Sequence, residues 1–126
     1  MSNMLEDVKY DSKNNFIVVN GRAEPNAEQI KQAFRQGIEL SKIEKCNNLL
    51  IDGTKTTTLP PITEIYSVSL FLLTLIKNLV KMRIAYVSTK DIADGFRLLD
   101  SVISKRGIPI GKFNNLEDAK EWLLNK

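Results

Sequence analysis

The sequence predicts an α/β domain with a mixed, mostly parallel sheet of about five strands and about four helices, ordered β-β-α-β-α-β-α-β-α. Short apolar runs of strand length alternate with longer stretches whose apolar residues recur at helical spacing, the signature of parallel strands joined by helical crossovers. Two of the runs, Leu49-Leu50-Ile51 and Ile84-Ala85-Tyr86-Val87, are almost wholly apolar, as in strands covered on both faces. The first two runs are joined by a turn cluster alone, so one hairpin adds an antiparallel strand.

Taken in order, the runs Met4 to Tyr10 and Phe16 to Val19 flank Asp11-Ser12-Lys13-Asn14-Asn15, whose Asn and Asp residues tolerate left-handed backbone and bond locally. Asn20-Gly21 ends the second strand. A helix follows over Asn26 to Ile43. Either Asn26 caps it, with Gln29 completing a capping box, or Pro25 takes its first position. Ile30, Ala33, Phe34, Gly37, Ile38 and Ser41 share its inner face, and Glu28, Gln32, Arg35, Glu39 and Lys42 the outer one. Asn47-Asn48 break the helix before the strand Leu49 to Ile51.

The loop Asp52 to Pro61 leads to a second helix over Ile62 to Lys81, and the strand Ile84 to Val87 comes next. Thr89 or Asp91 caps a third helix, with Phe96, Leu99, Val102 and Ile103 inward. Lys105 and Arg106 suit its negative end, and Gly107 supplies the left-handed residue that stops it. Ile108 to Phe113 forms a weak strand that Pro109 assigns to an edge, because proline has no N–H for the ladder. Asn115 caps a last helix carrying Leu116, Ala119, Trp122 and Leu123. No internal repeat, linker or low-complexity segment divides residues 1–126, so one domain is expected.

Composition narrows the chemistry. A net charge of +3 without a basic stripe argues against nucleic acid as partner. The single cysteine, Cys46, cannot close an intrachain disulfide, which suits a reducing compartment. Residues 1–7 carry neither the basic nor the apolar region of a signal peptide, so the expected location is cytoplasmic. The most apolar stretch, Ile65 to Ile76, falls short of the roughly 20 residues a membrane span needs. With no histidine there is no triad base, no imidazole ligand and no side chain that ordinarily titrates near neutrality. Cys46 lacks a partner to activate it and reads as a small buried residue. Glycine spacing fits neither of the common nucleotide-binding loops. No catalytic residue, metal site or cofactor is expected, and the chain reads as a non-enzymatic module.

Val18-Val19-Asn20-Gly21-Arg22-Ala23, Leu49-Leu50-Ile51-Asp52 and the closing Phe113-Asn114-Asn115-Leu116-Glu117-Asp118-Ala119-Lys120-Glu121-Trp122-Leu123, in this element order, resemble the STAS (SpoIIAA-like) domain of bacterial anti-sigma-factor antagonists. The resemblance implies that fold over nearly the whole chain and a regulatory role through a protein partner. It also implies a lipid or small apolar ligand as an alternative, because one branch of the family is compared with Sec14-like carriers. Antagonists place a phosphorylatable serine at the start of the helix after the central strand. Here that region reads Leu59-Pro60-Pro61-Ile62-Thr63-Glu64, so phosphorylation-driven switching does not carry over.

Two candidate sites follow. Asp52, Thr54, Lys55, Thr56 and Thr57 come after one buried strand and Ser88, Thr89 and Lys90 after the next. Both groups should meet at the strands' carboxyl ends, where hydroxyls, amides and lysines could hold an anion, against the simpler role of solvating a loop. On the second helix, Ile62, Ile65, Tyr66, Val68, Leu72 and Leu73 are among the residues assigned to the sheet side. Leu70 and Phe71 fall on the polar side beside Ser67 and Thr74. Those four residues mark the expected protein interface, a symmetric homodimer about this helix.

Overall fold

The computed structural model describes residues 8–76, 82–89 and 93–125. Their order is β1 (Val8–Asp11), β2 (Phe16–Asn20), α1 (Ala27–Glu44), β3 (Asn48–Asp52), α2 (Ile62–Ile76), β4 (Arg83–Val87), α3 (Ala93–Ser104), β5 (Ile110–Phe113) and α4 (Leu116–Leu124). The α/β class and the mixed sheet are as expected. The proposed continuation of α2 through Lys81, the Asp91 cap, residues 4–7 of the first run and the side chain of Phe96 lie outside the described residues.

The strands form one sheet in sequence order, β1-β2-β3-β4-β5. The hairpin pair β1–β2 is antiparallel and every later pairing is parallel. Each crossover steps to the adjacent strand in the same direction, so crossovers of the usual right hand place their three helices on one face. Side-chain alternation confirms the arrangement. Ile17, Val19, Leu49, Ile51, Ile84 and Tyr86 share a core with α1, α2 and α3. Phe16, Leu50, Ala85 and Val87 point the other way and are covered by Ala119 and Leu123 of α4.

Local chemistry sets the boundaries. The Asn26 side chain accepts from the Gln29 N–H at 2.7 Å, and the Gln29 side chain accepts from the Asn26 N–H at 3.0 Å, closing the capping box on α1. Ser41 donates its hydroxyl to the Cys46 carbonyl and ties the end of α1 to the chain entering β3. Cys46 is buried, and burial pushes its thiol above the ordinary value, so it stays protonated. Gly107 takes a φ of 83° where α3 stops. Pro109 precedes edge strand β5, and its carbonyl accepts the Ile84 N–H at 3.0 Å. On the far face the Arg83 guanidinium lies 4.2 Å from the Trp122 ring centre, and Phe113 packs 5.5 Å from the same ring.

The described part of α2 packs between α1 and α3, its backbone standing off the strands. Ile65, Val68, Ser69, Leu72, Leu73 and Ile76 are its buried residues. Among the described residues no helix is long and apolar enough to cross a membrane.

Replacing fully buried Leu72 by alanine should lower unfolding free energy by about 2–5 kcal/mol, because it loses transfer energy and leaves a cavity. Ile43, 73% exposed, should change stability by no more than about 0.5 kcal/mol when replaced by alanine. Urea denaturation of the two variants checks the contrast.

Candidate functional site

Parallel strands bring three connections to one edge of the sheet: residues 21–26 after β2, 53–61 after β3 and, of the stretch after β4, the described residues 88–89. Backbone bonds continue beyond the strands there. Gly21 donates its N–H to the Asp52 carbonyl at 2.7 Å, and Gly53 donates to the Val87 carbonyl at 2.8 Å. A Cβ on Gly53 would stand 2.6 Å from that Val87 oxygen, so only glycine lets the β3 exit lie this close to β4.

Of the polar residues named from sequence, Asp52, Thr54, Lys55, Thr56, Thr57, Ser88 and Thr89 are described and lie at this edge, where several help to build it. The Asp52 carboxylate accepts from the Thr54 N–H at 3.0 Å and the Thr54 hydroxyl at 2.7 Å. Thr56 is buried and donates its hydroxyl to the Arg22 carbonyl at 2.7 Å. Thr57 reaches the Ala23 carbonyl with its N–H at 2.8 Å and its hydroxyl at 3.2 Å. The threonines thus stitch the long loop to the 21–26 connection. Ser88 is buried with its N–H on the Phe113 carbonyl, while Lys55 and Thr89 are exposed. Lys90 lies outside the described residues. Among the described residues, the Thr54, Thr56 and Thr57 hydroxyls are thus engaged within the protein, while the Lys55 and Thr89 side chains face solvent.

What the edge does leave open is a cavity of about 100 Å³. Its floor is a row of three side chains in register across the sheet, Val19, Ile51 and Tyr86. Ala33 and Phe34 of α1, Val68 of α2 and Leu99 of α3 form its walls. Leu59 closes the loop side, lying against Gly95. Asn20, Arg22, Pro25 and Gln29, the polar residues and the proline among the partly or wholly exposed lining residues, mark the mouth. The space exists because α2 bridges α1 and α3 rather than resting on the strands. One row deeper, Ile17, Leu49 and Ile84 are fully buried and the layer is solid. The cavity escaped the sequence reading because helical spacing shows which face points inward, not how far a helix stands from the sheet.

Tyr86 gives the floor a polar atom. Burial pushes its phenol up to about 12, against the opposing effect of a hydrogen bond with Ser88. Among the described residues no group of three or more His, Cys, Asp or Glu is placed to hold a metal.

The second candidate site, on α2, is rearranged. Ile62 and Tyr66, expected to face the sheet, are 47% and 49% exposed. Small Ser69 points inward instead, its hydroxyl donated to the Ile65 carbonyl at 2.9 Å. With Leu70 and Phe71 included, the apolar arc of α2 spans about 260° of its circumference, more than α1 and α3 cover, so one margin is left outside. Leu70 is exposed as expected, with Ser67 and Thr74 beside it. Phe71 is half-buried, with the Lys31 ammonium 5.9 Å from its ring centre. The outer apolar stripe is therefore Ile62, Tyr66 and Leu70.

The chain matches no family model and no curated protein.

Two outcomes test the edge. Between pH 10 and 12 the unfolded chain gives up the Tyr86 proton while the folded chain keeps it, so stability falls as pH rises through that window. Wild type should lose about 2 kcal/mol more than Tyr86→Phe over this range, measured by denaturant titration. Gly53→Ala should cost about 1–3 kcal/mol, because backbone must shift to admit the methyl group.

Proposed function

We propose that the chain is a non-enzymatic binding module whose site is the cavity at the carboxyl edge of the sheet, a receptor or carrier for a small apolar molecule. The observation that carries this reading is the row Val19, Ile51 and Tyr86, a largely apolar floor that borders open space where the next row, Ile17, Leu49 and Ile84, is fully buried. In parallel α/β sheets ligands bind at this edge, and an apolar pocket with few polar groups is the usual form of a small-molecule site. The absence of histidine from the sequence and the protonated, buried state of Cys46 support a role without acid–base or nucleophilic catalysis. We place the module with STAS-type domains of the cytoplasm, without the phosphorylatable serine, on the element order and the junction residues quoted above.

Methyl-resolved NMR during titration with a mixture of small apolar compounds tests the site. The methyls of Val19, Ile51 and Val68 should shift, and those of Val87 and Leu123 on the opposite face should not. Equal shifts on both faces, or none, would remove the cavity as the site.

A second reading, regulatory contact through a homodimer, is favoured by the exposed stripe Ile62, Tyr66 and Leu70, flanked by Ser67, Phe71 and Thr74. A two-fold axis uses each of these contacts twice, and tyrosine is enriched among residues that dominate interface energy. Light scattering across micromolar concentrations should show a dimer that Leu70→Arg converts to monomer. A wild type that is monomeric throughout sinks this reading.

A further inference from the structure

We infer that the cavity selects by size and charge, and that its occupant is a neutral group the size of one six-membered ring rather than an acyl chain. This rests on the ligand-binding reading above and makes it specific. At about 100 Å³ the space is somewhat smaller than the roughly 150 Å³ apolar cavity that admits benzene in a protein core. It cannot lengthen along the sheet. The next row, Ile17, Leu49 and Ile84, is fully buried, and Leu72 and Ile76 of α2 fill the layer above. At the loop side Leu59 stands over Gly95, where a Cβ would come within 2.8 Å of its methyl group. A chain of many methylenes therefore meets packed side chains along the sheet and at the loop side, and only its first few carbons would find cover before the mouth.

Charge is excluded by the same walls. The lining is apolar apart from the floor phenol, the Thr56 hydroxyl already given to the Arg22 carbonyl, the mouth residues and backbone. An ion drawn onto the Val19–Ile51–Tyr86 floor would lose its hydration, and the lining's one charged side chain, Arg22, stands at the mouth rather than on the floor, so the cost in this apolar site is heavy. A neutral ring loses little on entry and gains contact with every wall.

Thermal melts with toluene, benzoate and decanoate, on wild type and on Ala33→Leu, test the inference. Ala33 lines the cavity, so leucine there fills it, and Ala33→Val is the milder substitute should leucine prevent folding. Toluene at about ten times its Kd should raise the wild-type Tm by about 3–6 °C, and benzoate and decanoate should leave it unchanged. In the folded filled variant the toluene shift should vanish. A decanoate or benzoate shift without a toluene shift overturns the size and charge assignment while leaving a ligand-binding role standing. No shift with any of the three overturns both, and a toluene shift that survives in the filled variant overturns the location.

Discussion

The central strand must be kept dry on both sides, and the rest of the structure answers that demand. Leu49, Leu50 and Ile51 are all buried, yet alternation sends the middle one away from its neighbours. No single layer can cover such a strand, so helices are needed on each face. Three crossovers in one direction put α1, α2 and α3 on the same side, which among the described helices leaves the reverse face to α4. That nine-residue helix covers Leu50, Ala85 and Val87 with Ala119 and Leu123, and widens its reach through Trp122 against Phe113 and Arg83.

The crowded face carries the cavity for a geometric reason. Three helices over five strands cannot all lie directly on the sheet, and α2 is lifted between the other two. Its lower turns still seal the layer through Leu72 and Ile76. Its upper turns, at Ile65 and Val68, stand over the last row before the edge and leave it open. The same lifting exposes the margin at Ile62, Tyr66 and Leu70. Cavity and stripe are thus two sides of one displacement, and the first two turns of α2 belong to both.

Much of this was legible in the chain. Strand β3 declared itself through unbroken apolarity, because a strand wetted on one face would alternate. The Asn26–Gln29 box, the Asn115 cap and the Gly107 stop are local devices whose partners lie within a few residues. Pro109 marked an edge for want of an N–H. What was hidden depends on partners far along the chain. The hydroxyls of Thr56 and Thr57 looked like ligand donors, yet their acceptors are carbonyls 34 positions earlier. Ile62 and Tyr66 were assigned inward because apolar character shows what prefers burial, and two flanking helices bury only part of so wide an arc.

The sheet runs in sequence order, and that has a bearing on how the chain reaches this state. Every strand pairs with the one made just before it, so no pairing waits for a distant segment. Loop closure is cheaper over short separations, and folding rates rise as contacts become more local. The β3–β4 unit with α2 between them can serve as a nucleus, to which β2 with α1 and β5 with α3 add from either side. Assembly then resembles growth by accretion, each unit docking on an edge already formed. The reverse face is the exception. It stays open until α4, which follows β5, folds back across β3, β4 and β5.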